Sequence, residues 1–252
     1  MLRIAFAIEK GGTAKTTSAV HLAHALARLG RMVLLVDTDA QDQCASHLGL
    51  PQFRPGLAEV VLGEITPRQA IVQARERLFL LPAGDRLAEV KGSLSAIAAR
   101  VGASRERLLA DALAFTAQAR LDYVIMDTAP GYDALLVNVC LLADMVLAPV
   151  PPEMQAVRGM VRFFKTLREL GREPDAILPT IHDRRVGKTH RILNKLRRRF
   201  GERVLDHISY SAAVSEAAGA GLTVFEYQPG HTVAHQYEAL AKRLDRSRRE
   251  AA

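Results

Sequence analysis

The sequence predicts an α/β protein, a doubly wound and mostly parallel sheet with helices on both faces. Two observations of pattern carry this, and one of composition permits it. Apolar runs of 4 to 6 residues, the length of buried parallel strands, recur along the chain. Segments with apolar residues at helical spacing lie between them, giving the βαβα alternation whose ligand crevice opens at the carboxyl ends of the strands. With 252 residues, 49% hydrophobic and 24% charged, the chain can bury a substantial core and is far from the composition of a disordered polypeptide.

The elements follow in order. Ile4 to Ile8 reads as the first strand, and Thr16 to Leu29 as the first helix. Met32 to Val36 and Leu78 to Leu81 are the next strands, separated by a Pro-containing loop at Pro51 to Gly56. Helical spacing over Arg86 to Val101 and Arg105 to Ala119 precedes the strand Tyr123 to Met126. Tyr132 to Leu142, Gln155 to Leu170 and Arg191 to Phe200 are helical, with strands at Met145 to Val150, Ala176 to Ile181 and Val204 to Ile208. There is no internal repeat or low-complexity segment, and a single domain over residues 1–252 is expected. No apolar run reaches the roughly 18 residues of a membrane span, and Met1 to Glu9 lacks a signal-peptide pattern, so a cytoplasmic location is expected. Cys44 and Cys140 have no C-x-x-C partner and read as small buried hydrophobes.

Charge is unevenly placed. Residues 1–150 contain 15 Lys+Arg and 15 Asp+Glu, while residues 151–252 contain 19 and 12, so the net +7 comes from the last 102 residues. Arg184, Arg185, Lys188, Arg191, Lys195, Arg197, Arg198, Arg199 and Arg203 fall within one stretch that holds a single acid, Glu202. Such density points to a polyanion, nucleic acid or anionic lipid, with a solvated helix face as the alternative.

Directly after the first strand stands Lys10-Gly11-Gly12-Thr13-Ala14-Lys15-Thr16-Thr17, followed by a helix. A glycine-containing strand-to-helix turn lets backbone N–H groups close around an anion at a helix amino terminus. Lys15 is expected at the β- and γ-phosphates and the Thr16 hydroxyl at Mg²⁺. The common pattern G-x-x-x-x-G-K-[ST] would put glycine at Glu9 and Ala14, so this loop is a variant, with a second lysine, Lys10, at its start.

The string resembles the deviant Walker A motif of the ParA/MinD ATPases, K-G-G-x-x-K-[ST]-T. The resemblance continues through Val33 to Gln41, similar to the family's second strand and switch I, and Asp122 to Gly131, similar to its Walker B strand and switch II. It extends to Pro149 to Glu153, Leu178 to Arg184 and Val224 to Pro229. Ala14 replaces a usual glycine and Ala40 a usual proline; Ala14 is expected to be tolerated if its φ stays negative, and to bear on hydrolysis rate rather than on binding.

The resemblance implies a P-loop NTPase fold, ATP and Mg²⁺ as cofactors, and a nucleotide-sandwich homodimer. Asp39 would orient the attacking water, Asp127 would hold Mg²⁺ through its water shell, and Asp37 would shape switch I, with Thr16, Asp39 and Asp127 forming the metal side of the site. Lys10 would reach the partner subunit's ATP. Strand-end or helix caps are the alternative roles for the three acids. Thr180 and Asp183 are candidate contacts to the base, and His182 beside Asp183 could form a relay. His21 and His24, at i, i+3 with no third ligand near, read as helix-surface residues.

Within the family, the iron proteins and metal carriers require cysteine patterns that Cys44 and Cys140 do not supply. Almost nothing apolar follows Leu244, so an inserting carboxyl-terminal helix of the MinD type is not expected. A small ParA-type protein is expected, without a separate amino-terminal DNA-reading domain because the loop starts at residue 10. It would bind duplex DNA non-specifically through Arg184, Arg185, Lys188, Arg191, Arg197, Arg198 and Arg199, and partition plasmid or chromosomal DNA at the nucleoid with a ParB-like, centromere-binding partner. The alternatives are an ATPase that positions a protein cargo, such as a carboxysome or chemosensory cluster, through an adaptor, and a nucleotide-dependent regulatory DNA-binding protein without significant turnover.

Overall fold

A computed structural model describes residues 1–250 except Phe53, Gly102, Ala103, Arg105 and Arg184. Seven strands form one sheet: β1 (Leu2–Phe6), β2 (Val33–Thr38), β3 (Val72–Arg75), β4 (Leu78–Leu81), β5 (Tyr123–Thr128), β6 (Met145–Val150) and β7 (Ala176–Pro179), in the order β3-β4-β2-β5-β1-β6-β7. All neighbours are parallel except β3 and β4. The helices are α1 (Lys15–Arg28), α2 (Gln43–His47), α3 (Leu57–Val61), α4 (Pro67–Ala70), α5 (Leu87–Val101), α6 (Leu108–Ala112), α7 (Ala134–Leu142), α8 (Met154–Glu169), α9 (Gly187–Phe200), α10 (Ala212–Gly219), α11 (Val224–Tyr227) and α12 (Thr232–Glu250).

Two apolar cores, one on each face, account for the layering. Residues of α3, α5, α6, α7, α8 and α9 pack on one face, and those of α1, α2, α11 and α12 on the other. The central strands are buried on both sides, which is why they read as unbroken apolar runs. Cys44 and Cys140 are both buried. Among the described residues no helix is long and apolar enough to cross a membrane.

The expected elements differ from the observed ones in several places, and short helices α2, α3, α4, α10 and α11 and the terminal α12 have no expected counterpart. Val204 to Ile208 is not a regular strand: it runs beside β7 with only isolated parallel bridges at Val204 and Ser209, because the chain turns Asp206 out to solvent between the buried Leu205 and Ile208. The helix expected over Arg105 to Ala119 is interrupted, with Arg105 outside the described residues. Leu113 O accepts both the Thr116 N–H and its hydroxyl, and these i−3 bonds tighten the segment after α6 into a 3₁₀ turn at Ala114–Ala117. The antiparallel edge strand β3 has no counterpart among the expected strands; it is short, half-buried and bulged between Gln73 and Arg75.

His21 and His24 are a further correction, for both are buried. Helix α1 lies between the sheet and the α11–α12 layer, so it has almost no solvent face over Ser18 to Ala27. The Val224 N–H donates to His21 Nε2 at 3.1 Å, which makes His21 Nδ1–H the donor to Thr17 O at 2.7 Å. His24 Nδ1 lies 2.7 Å from the Thr223 hydroxyl. Burial lowers both pKa values to about 4. A histidine kept neutral in the fold but protonated when unfolded contributes stability above pH 6.5, and that stability is lost as pH falls toward 4. His21 alone accounts for about 3 kcal/mol over this window. Urea unfolding of wild type and His21→Gln between pH 7 and 4 should show a shallower loss in the variant; identical pH slopes would refute the assignment.

Candidate functional site

The site forms because the sheet order places three distant segments side by side. Strand β5 lies between β1 and β2, and the register aligns Phe6, Asp127 and Asp37 in one row across them. The loop after β1 therefore emerges next to the acids ending β5 and β2. Gly12 has φ +68°, and Gly11 faces Pro130, where a Cβ would make an ordinary contact of 3.7 Å with the proline Cβ. The Gly131 N–H donates to Glu9 O at 2.7 Å, tying the switch II segment to the phosphate loop.

Lys15, the first residue of α1, is buried, and its Nζ donates to Lys10 O at 3.2 Å. Burial lowers its pKa, opposed by the Asp127 and Asp39 carboxylates. Ala14 departs from expectation: its φ is +65° and ψ +38°, not negative. The turn into α1 demands the left-handed conformation at this position, which costs a non-glycine residue about 1–2 kcal/mol.

Asp37 holds the segment after β2, accepting the Asp39 N–H at 2.8 Å and the Cys44 N–H at 2.9 Å. Asp39 lines the cavity, its Oδ1 accepting from Gln41 N–H at 3.1 Å. Burial and the facing Asp127 push Asp37 well above the usual carboxylate range. Burial likewise raises Asp127 to about 7, against the opposing effects of the Thr16 hydroxyl and Lys15. Asp127 Oδ1 is buried yet lacks a well-formed hydrogen bond. A fully buried acid with a free oxygen, beside the Thr16 hydroxyl and a buried lysine, is a donor set suited to Mg²⁺ with a polyphosphate.

A cavity of about 720 Å³ is lined by Gly11 to Thr17 and by Asp39. Thr180 is also on its lining, and its hydroxyl donates to Thr13 O at 2.9 Å, so it braces the phosphate loop. Asp183 is not brought into this cavity. It lines the neighbouring one, where Arg185 bonds its carboxylate and holds its pKa down to about 2. His182 is buried against the rings of His190 and His207 rather than lining the cavity. Asp183 pairs with Arg185.

Comparison with known proteins is consistent with this geometry. Residues 1–178 match the family model described as "AAA domain". The chain is 34% identical to the chromosome-partitioning ATPase Soj of Thermus thermophilus over 249 residues, covering 96% of this chain and 94% of that one. It is 32% identical to the chromosome partitioning protein ParA of Caulobacter vibrioides, covering 96% and 92%. Among solved structures, a cobyrinic acid a,c-diamide synthase from Mycobacterium smegmatis with bound ATP analogue and magnesium superimposes with a TM-score of 0.80 at 28% identity, covering 100% and 97%.

The chain belongs to the ParA/MinD family of P-loop ATPases. As a member, it is an ATP hydrolase, and nucleotide with Mg²⁺ is the cofactor pair of its family.

The ParA/MinD fold also brings in residues that sequence reasoning missed. Lys91 of α5, paired with Asp133 at 2.7 Å, reaches the cavity wall, as do His47, Val214, Ser215 and Tyr237. No local motif announces them, and Lys91, Val214, Ser215 and Tyr237 come from segments remote in sequence. Arg75 of β3 joins the two sides of this outer region: its guanidinium donates to Leu48 O, Gly221 O and the Glu226 carboxylate. Next to it, the Gly49 and Gly221 backbones meet so closely that a Cβ on Gly221 would lie 2.5 Å from Gly49 Cα.

The basic stretch forms α9 and its flanks, apart from Arg184, which lies outside the described residues. Ile192, Leu193 and Leu196 face the core, leaving Lys188, Arg191, Lys195, Arg197, Arg198 and Arg199 exposed. Arg185 is held by Asp183, and Arg197 lies 3.9 Å from Asp206. At the carboxyl terminus, by contrast, Arg248 and Arg249 both pair with Asp245, and Arg248 also with Asp122.

Proposed function

We propose that this ATPase is a ParA-type switch that dimerises on ATP, binds duplex DNA non-specifically, and partitions plasmid or chromosomal DNA with a centromere-binding, ParB-like partner. The observation that supports it best is the exposed cationic face of α9 on a chain whose phosphate loop and acids suit MgATP. Lys15 would neutralise the β- and γ-phosphates, Asp39 would orient the water, and Thr16 with Asp127 would hold Mg²⁺. Gly11 to Thr17 would cradle the phosphates, Asp37 would fix the switch segment, and Lys10 would serve the partner's nucleotide. The protein would then be cytoplasmic and nucleoid-associated. Names of relatives support the partition reading over cargo positioning, since both curated relatives described above are chromosome-partitioning proteins.

Lys188, Arg191, Lys195 and Arg198 supply the DNA contacts in this reading, with Arg197 and Arg199 on the flanks. The carboxyl-terminal arginines are the weaker surface because Arg248 and Arg249 are engaged with Asp245 and Asp122. In Arg191→Ala/Arg198→Ala, affinity should fall similarly for unrelated duplexes. The slope of log affinity against log salt should become shallower by about 0.9 for each phosphate that is no longer neutralised. Binding by titration at several salt concentrations checks this; wild-type affinity and slope would remove α9 from the DNA surface.

A further inference from the structure

A cysteine stands among the acids at the ends of the central strands, and nothing in ATP hydrolysis calls for it. Register sets Asp37 of β2 beside Asp127 of β5, so both side chains leave the same face of the sheet. Helix α2 brings Cys44 onto this pair: its N–H donates to Asp37 Oδ2 at 2.9 Å, and its thiol is directed at Asp127 Oδ2, 3.7 Å away. All three residues are fully buried, and one ligand atom from each lies within 4.8 Å of the other two. Asp127 Oδ1, the second oxygen of the carboxylate that faces the thiol, is buried without a well-formed hydrogen bond. Each Asp37 oxygen accepts one backbone N–H and so retains a lone pair.

We propose that Asp37, Cys44 and Asp127 form a regulatory site for a thiophilic divalent cation of the zinc class. At a tetrahedral zinc with bonds of about 2.3 Å to sulfur and about 2.1 Å to oxygen, the sulfur and the oxygen stand about 3.6 Å apart. The separation of Cys44 Sγ from Asp127 Oδ2 matches this. Two carboxylates and a thiolate supply three ligands, the number that leaves a fourth position for water, and the thiol proton passes to solvent as the ion enters. Mg²⁺ gives the thiol no role, since it takes hard oxygen ligands, whereas sulfur selects zinc and cadmium. Asp39 and Gln43, close to the site along the chain, line the nucleotide cavity, so the ion has a path from that side. Once bound, it fixes Asp37, which anchors the segment carrying Asp39, and it occupies the carboxylate assigned above to Mg²⁺. Zinc therefore slows hydrolysis; this consequence rests on the role proposed for Asp127, while binding of the ion does not.

The test uses the full chain without nucleotide, in excess Mg²⁺, titrated with Cd²⁺ and then with Zn²⁺ as competitor. The ultraviolet charge-transfer band of a cadmium thiolate should appear in wild type and in Cys140→Ser, and be absent from Cys44→Ser. Loss of even an outer partner of a metal ligand costs about 10–100-fold in affinity, so Zn²⁺ should bind Cys44→Ser at least about tenfold more weakly. Without zinc, Cys44→Ser should turn over MgATP like wild type, because the backbone bond to Asp37 is kept; at free Zn²⁺ held by a chelating buffer, wild type should be inhibited and the variant spared. Cys44→Ala, which removes the thiol without adding a hydroxyl, should behave as Cys44→Ser and serves in its place if the serine variant does not fold. No band in wild type, or a band that survives in both Cys44 variants, would overturn the site and leave the thiol as a hydrogen-bond donor to Asp127. A band that depends on Cys44, with turnover indifferent to zinc, would uphold the cation site and overturn its regulatory part together with the Mg²⁺ role of Asp127.

Discussion

Lys15→Ala should abolish MgATP binding and, with it, turnover. The lysine is buried beside Asp127 and Asp39, and its ammonium is already oriented by the Lys10 carbonyl. Deleting it leaves Asp39 and Asp127 without the cation beside them, next to a cavity that must accept further negative charge. Removing one member of such a buried charge set costs about 3–5 kcal/mol, and each 1.4 kcal/mol is tenfold in affinity, so the dissociation constant should rise by at least about a hundredfold. Equilibrium titration with labelled ATP reads this directly. Affinity within twofold of wild type would remove Lys15 from the phosphate site.

Asp39→Ala should separate binding from chemistry. Asp39 lines the cavity, whereas the buried anchor of the switch segment is Asp37, which keeps its bond to the Cys44 N–H when the Asp39 side chain is removed. Nucleotide affinity should therefore stay within a few-fold of wild type. A positioned carboxylate acting on the attacking water contributes roughly 10²–10⁴ in rate, so phosphate release should fall by at least about a hundredfold and the ATP-bound dimer should accumulate. Loss of nucleotide binding, or unchanged phosphate release, would contradict the role given to Asp39.

Legibility of the fold and site in the sequence follows the range of the interactions concerned. The phosphate loop and the acids at 37, 39 and 127 are readable because each lies within or just after a contiguous apolar strand, where local order reveals position. The central strands are readable for the same reason. Strand β3 is not, being too short and too exposed to generate an apolar run. His21 and His24 read wrongly as surface residues because their surroundings come from α11 and α12, some 200 residues away in sequence, and nothing in α1 itself reveals that it is covered. Lys91 and Tyr237 are silent in the sequence for a similar reason: a single lysine or tyrosine on a helix has no signature until the sheet sets that helix against the cavity. Ala14 stands out in the sequence as a departure, but its backbone angle depends on the geometry of entry into α1, which composition does not encode.

The contact of Gly49 with Gly221, clamped by Arg75, couples two walls that the chain builds far apart. His47 stands on one side of this joint and Val214 with Ser215 on the other, all three bordering the cavity. With the backbones touching and one guanidinium gripping both, these walls behave as the fixed jaws of a gauge. The joint fixes where the His47 side and the Val214–Ser215 side stand relative to each other in this structure. An added side chain at either glycine would force the two backbones apart and displace the walls they carry.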